Sequence, residues 1–151
     1  MSDFLGYFNK DNLNIDNLNK YKSHLNFENF SIFYSEGFDL SFTESEDTII
    51  VFKGFLSNEL LSTREKKEIR TNYASIVQRH YFNFKEKFHL YLSGNFTLVL
   101  FDKNKKELLI LRDRFGSRPV YYSKYKNFFV FSSNIKDLSE INLLEISLNK
   151  H

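Results

Sequence analysis

The tightest constraint on this chain lies near its C-terminal end, in the stretch GNFTLVLFDKNKKELLILR from Gly94 to Arg112. Two apolar runs, Phe96–Phe101 and Leu108–Leu111, flank a polar tip at Asp102–Glu107. That order is the signature of a β-hairpin with a short loop. A half-solvated strand alternates apolar and polar positions, whereas Phe96–Phe101 is mostly apolar on both faces. Such a strand has to be covered on two sides. A charged turn follows, Arg112-Asp113-Arg114-Phe115-Gly116-Ser117-Arg118-Pro119, holding one of five glycines and the sole proline. A carboxylate in a turn between covered strands needs partners, so Asp113 is expected to be buried or half-buried and hydrogen-bonded. Beyond the turn, Val120–Ser123 and Phe128–Ser132 read as a second, aromatic hairpin turning through Lys124–Asn127.

Composition narrows the class. At 151 residues a single domain spanning 1–151 is expected, and 42% hydrophobic with 18% aromatic residues argues for a packed globule rather than a disordered tail. With no Cys there is no disulfide, no thiolate metal site and no cysteine nucleophile. His24, His80, His89 and His151 have no metal-ligand spacing, so no metal and no cofactor are expected. A net charge of +2 is too small to point to nucleic acid or a membrane surface. No apolar run approaches the ~20 residues that span a bilayer, and the N-terminus lacks the regions of a signal peptide. A cytoplasmic protein is the expectation.

From the N-terminus, Met1–Asn9 reads as a short strand, and Lys10–Glu28, rich in Asn, Lys and Asp, as loop with a helical turn. Phe30–Tyr34 and Phe38–Phe42 read as strands joined by a tight turn at Ser35-Glu36-Gly37. Asp47–Phe52 is a third strand, entering Lys53-Gly54-Phe55-Leu56-Ser57-Asn58. Ser62-Thr63-Arg64-Glu65 is a capping box, predicting a helix to about Phe82. Ile69, Tyr73, Ile76, Val77 and His80 would form its buried stripe, with Lys66, Lys67 and Arg70 on the solvated face.

The ordered set Arg112, Asp113, Gly116, Pro119, Tyr121, Tyr122, Ser132, Ile135 and Lys136 resembles the glutamine amidotransferase domain of asparagine synthetases. These are class II amidotransferases of the N-terminal-nucleophile hydrolase superfamily. The match is tight over Gly94–Leu138 and loose elsewhere. The resemblance implies an α+β fold, a four-layer α/β/β/α sandwich of two mainly antiparallel sheets. This segment is scaffold in the family, so it speaks to fold more than to activity.

The resemblance also implies where a site would be. The family's first strand begins Met-Cys-Gly-Ile, and removal of Met exposes the cysteine as the nucleophile. Here Ser2 stands in place of the Cys and Asp3 in place of the Gly, while Gly6, Phe8 and Asn9 fit. A family segment Asn-Gly-Glu falls on Lys53-Gly54-Phe55. Lys53 replaces an oxyanion donor, a kind of group whose loss costs about 2.7–4 kcal/mol. Phe55 replaces the Glu that meets the glutamine ammonium, and Asn72 falls where the family has an Asp contacting the substrate amine. No Arg lies between Asn9 and Ile49, where the carboxylate-binding Arg of the family would be expected. The resemblance thus implies a non-catalytic amidotransferase-like domain, partnered with an ATP-dependent, asparagine-synthetase-like domain or subunit. The docking surface is expected near Arg112–Tyr122 and Asn134–Leu144. The alternatives are an amidohydrolase using Ser2 after loss of Met1, and a module binding a peptide or other ligand in the former glutamine pocket.

Overall fold

The computed structural model describes residues 3–8, 18–61, 63, 66, 71–125 and 127–140. In chain order the strands are β1 (Phe4–Phe8), β2 (Ser23–Phe27), β3 (Phe30–Tyr34), β4 (Leu40–Glu44), β5 (Thr48–Leu56), β6 (Gly94–Asp102), β7 (Glu107–Arg112), β8 (Tyr121–Tyr125) and β9 (Phe128–Ser132). The helices are α1 (Tyr73–Phe84) and α2 (Ile135–Glu140), with short 3₁₀ segments at Leu18–Lys20, Asn58–Leu60 and Lys85–Tyr91. Two antiparallel sheets and few helices make this an α+β fold, as the resemblance implies. The chain divides into two compact units, Asp3–Ser35 with Val120–His151, and Glu36–Pro119.

The first unit is built on a five-stranded sheet in the order β2-β3-β1-β9-β8. Leu5, Tyr21, Phe128, Val130 and Leu138 form a core cluster, with Tyr7, Leu18, Phe33 and Tyr121 packed against it. The short helix α2 is tied to this sheet by a carboxylate. Asp137 is only 2% exposed and accepts from the Tyr21 hydroxyl and the Lys20 ammonium. Ser132 Oγ lies 3.0 Å from Asp137 Oδ2 and 2.9 Å from the Phe4 carbonyl. Burial, and after it the hydrogen bond and charge of Asp137, push the Tyr21 hydroxyl far above the ordinary phenol range. It stays a donor to Asp137 at any physiological pH.

The second unit holds the sheet β4-β5-β6-β7. On one face Ile50, Phe52, Leu56, Phe96, Leu98 and Leu100 pack with Ala74, Ile76, Val77 and Tyr81 of α1 and with Phe88. The alternate positions Ile49, Val51, Val99 and Phe101 are buried as well. The central pair is therefore covered on both faces, as the pattern of Phe96–Phe101 demands. At about 1.5–3 kcal/mol per fully buried large apolar side chain, these two strands carry much of the stability of the unit.

Three local expectations are corrected. Phe30–Tyr34 and the next strand do not form a hairpin: β3 pairs with β1 and β2, whereas β4 pairs with β5. The turn residues Ser35-Glu36-Gly37 lead from one sheet to the other, and local turn chemistry does not distinguish that from a hairpin. Strand β4 accordingly starts at Leu40, leaving Phe38 outside it. Strand β2 lies within the segment read as loop. Its polar Ser23 and Asn26 hide an alternation in which Leu25 and Phe27 are half-buried and His24 and Asn26 exposed.

The helix also starts later than the capping box predicts. Thr71 and Asn72 are non-helical, and Asn72 is the cap of α1, its Oδ1 accepting from the Ser75 amide at 3.2 Å. Ser62, Arg64, Glu65, Lys67, Ile69 and Arg70 lie outside the described residues. A helix that starts at Tyr73 buries Ala74, Ile76, Val77 and Tyr81, leaving Tyr73 and His80 half-buried. Asn72 Nδ2 additionally donates to the Phe42 carbonyl of β4 at 3.1 Å. Asn72→Ala is therefore expected to cost about 1–2 kcal/mol in chemical denaturation, with Asn72→Ser recovering the capping part. Equal stability of the two variants would show that the cap contributes nothing.

Candidate functional site

Three of the residues singled out in sequence, Lys53, Gly54 and Phe55, lie near one end of the β5–β6 pair. Lys53, Gly54 and Phe55 close β5, opposite Thr97, Phe96 and Asn95 of β6. Gly54 has φ +122°, outside the range of an ordinary strand residue. Its amide donates to the Asp39 carbonyl at 2.6 Å, which brings the segment ahead of β4 to this point. Phe38 thereby stands beside Phe55, their ring centroids 6.2 Å apart. Tyr73, the first residue of α1, meets Phe55 edge-on at 6.0 Å.

The remaining wall comes from the far end of the motif. The Arg118 guanidinium lies over the Phe55 ring, 5.8 Å from its centroid, and Nη1 pairs with Asp39 Oδ2 at 3.1 Å. The Arg118 carbonyl accepts from the Thr97 hydroxyl, fixing the backbone against β6. Lys53 is buried at 7% exposure, paired in register with Leu40 on one side and Thr97 on the other. Phe55 is thus packed by two rings and a guanidinium whose charge is already matched by Asp39. The pair is partly exposed, so its worth is at the modest end for ion pairs.

Of the expected site residues, Lys53, Gly54 and Phe55 come together here, and Asn72 adjoins Tyr73. The Asn72 amide is engaged at both ends, as cap of α1 and as donor to Phe42. Arg118 is the residue that sequence reading missed at this site. Its only signal is its place just before Pro119, far along the chain from β5. Ser2 lies outside the described residues. Asp3, beside it, has its carboxylate 3.1 Å from the Ser133 hydroxyl and its backbone paired with Ser35.

The scaffold motif supports the wall that carries Arg118. Asp113 is 5% exposed, and its carboxylate accepts from the amides of Phe96 (3.2 Å), Phe115 (2.9 Å) and Ser117 (3.1 Å) and from the Ser117 hydroxyl (2.7 Å). Arg112, Pro119 and Tyr122 are exposed, Gly116 takes φ +64°, and Tyr121 packs on the core of the first unit. Among the described residues no group of His, Asp or Glu could hold a metal ion, and no helix is long and apolar enough to cross a membrane.

Fold and site together define an α+β protein with two antiparallel sheets and an aromatic cluster about Phe55 near the end of its central strand pair. Residues 38–151 match the model of the glutamine amidotransferase domain, and the chain belongs to that family. Over 45 residues it is 42% identical to the glutamine-hydrolysing asparagine synthetase 2 of Bacillus subtilis, which covers 30% of this chain and 6% of that protein. It is 32% identical over 114 residues to a putative glutamine-hydrolysing asparagine synthetase 2 of Methanocaldococcus jannaschii, covering 69% of this chain and 21% of the other. It is also 32% identical over 72 residues to amidase chry2 of Gibberella zeae, 48% of this chain and 11% of that protein. The chain thus spans between 6% and 21% of the length of these relatives.

Proposed function

We propose that this chain is a non-catalytic glutamine amidotransferase-like domain that supports an ATP-dependent, asparagine-synthetase-like amide-forming partner. The reading is carried by Phe55, which stands where the resemblance puts an ammonium-binding Glu and is packed by Phe38, Tyr73 and Arg118. A ring in that position cannot meet an ammonium with a carboxylate. The Arg118 guanidinium over Phe55 is paired with Asp39 and so is not a ready receptor for a substrate carboxylate. Lys53 and Asn72 change the remaining polar positions, and Ser2 offers a hydroxyl in place of a thiol. The names of the relatives, glutamine-hydrolysing asparagine synthetases, support the class of partner.

Glutamine hydrolysis, followed as glutamate release, is expected to be undetectable for the purified chain. Ser2→Cys alone should leave it undetectable, because a better nucleophile would still face an unanchored substrate. Hydrolysis by Ser2→Cys at a rate typical of amidotransferases would overturn this account of the site. Hydrolysis by the unaltered chain after loss of Met1 would instead establish Ser2 as a working nucleophile.

A further inference from the structure

The turn between β7 and β8 combines two properties that seldom coincide. Phe115 is 86% exposed, the highest value among the exposed large apolar side chains of the described residues. Yet it sits on a heavily hydrogen-bonded turn. Asp113 collects the four donors given above, its own amide donates to Phe96 O at 2.9 Å, and the Gly116 amide donates to Asp113 O at 3.0 Å. At Gly116 a β-carbon would come within 3.2 Å of the Arg112 guanidinium, so that side chain is seated against the turn. Arg112 and Arg114, both exposed, stand on either side of Asp113 and next to Phe115.

We propose that this turn is a preorganised protein-docking knob. Phe115 is its apolar anchor, Arg112 and Arg114 its basic rim, and the surface it fits is an apolar pocket edged by carboxylates. An aromatic ring with flanking arginines is the composition of interface hot spots. A ring held by a rigid turn loses little freedom on docking, which is what raises affinity at fixed contact area. The charge pattern selects an acidic rim. A single ring is no platform for successive bases, and a net charge of +2 gives no basic field for nucleic acid, so a protein is the occupant the surface favours. The inference rests on the proposed supporting role only for the identity of the partner.

The test places a photo-reactive benzophenone side chain at position 115 of the full chain, expressed in its own cells, with Asn127, also exposed, as the control site. Adducts are mapped by mass spectrometry. The expected result is one dominant protein, cross-linked through a peptide carrying Asp or Glu around apolar residues. Arg114→Glu should reduce that adduct at least tenfold with an unchanged thermal midpoint, and reversing the mapped acid to Lys on the partner should restore it. No adduct above the control, adducts on nucleic acid, or an adduct indifferent to Arg114→Glu overturns the proposal. If the mapped partner is not synthetase-like, the knob stands and the supporting role falls. If a synthetase co-purifies undiminished with Phe115→Ser, the knob falls and the supporting role stands.

Discussion

Asp113→Ala is expected to lower the stability of this chain by about 2–4 kcal/mol, the cost of orphaning buried donors together with the loss of charge-assisted hydrogen bonds. Asp113 is 5% exposed and serves the Phe96, Phe115 and Ser117 amides and the Ser117 hydroxyl. Phe96 is itself buried, so its amide cannot turn to water when the carboxylate is removed. The amides of Phe115 and Ser117 lie at the exposed side of the turn and can be rehydrated, which limits the loss. Asp113→Asn keeps the shape but puts a donor where two oxygens accept, and should fall between Ala and the native residue. Chemical denaturation measures both. A change below about 0.5 kcal/mol, the usual surface value, would mean that the turn is held by something else.

The same carboxylate predicts a pH dependence. Burial by itself would raise the Asp113 pKa, but the Ser117 hydroxyl and the Ser117, Phe115 and Phe96 amides outweigh it, and the group titrates below the ordinary carboxylate range. Asp102 behaves alike: burial raises it, and the Tyr81 hydroxyl with the Lys105 and Asn104 amides brings it down. A depressed folded pKa means that the unfolded chain takes up the proton first as pH falls. The stabilisation is complete above the ordinary carboxylate range and is lost as pH drops through it toward the lower folded values. The unfolding free energy of Asp113→Ala should therefore fall less steeply between neutral pH and about pH 3 than that of the native chain. Parallel curves would show that Asp113 titrates alike in both states.

What could be read from the sequence follows from how local each signal is. Strands β3 and β9 carry apolar and aromatic runs bounded by turn residues, and their limits match the sequence reading residue for residue. The β6–β7 hairpin and the double-sided burial of β6 are legible for the same reason. The pairing of β3 is not, because the Ser35–Gly37 turn would serve a hairpin or a crossing between sheets equally well. The start of α1 is not legible, because a capping box upstream competes with Asn72, which has no acidic residue three positions on. At the site, the β5 segment was legible because its three residues are consecutive. Arg118 was not, since only the folded turn after β7 carries a guanidinium from there to the Phe55 ring.

Gly54→Ala carries the other large expected effect, a loss of about 3 kcal/mol or more. Two terms add. At φ +122° an L side chain is strained, at about 1–3 kcal/mol for such a conformation. A β-carbon there would also stand 2.1 Å from the Asn95 carbonyl oxygen and 2.9 Å from the Phe96 α-carbon. Both obstacles are backbone, so no rotamer change relieves them. Gly94 faces the same limit from the opposite strand, its β-carbon falling 2.2 Å from the Phe55 carbonyl oxygen. Relief would require β5 and β6 to part between Gly54–Leu56 and Gly94–Phe96, where Leu56 and Phe96 belong to the packed core. That close approach is what leaves the Phe55 ring among Phe38, Tyr73 and Arg118. Gly54→Ala should therefore lower the thermal midpoint and weaken Arg118 packing together, the second read as a changed Arg118 side-chain resonance by NMR. Because the two glycines press on one strand contact, the double variant with Gly94→Ala should lose less than the sum of the singles. A loss below about 1 kcal/mol for Gly54→Ala would show that the strand end can open, and that the Phe55 position is adaptable rather than fixed by the sheet.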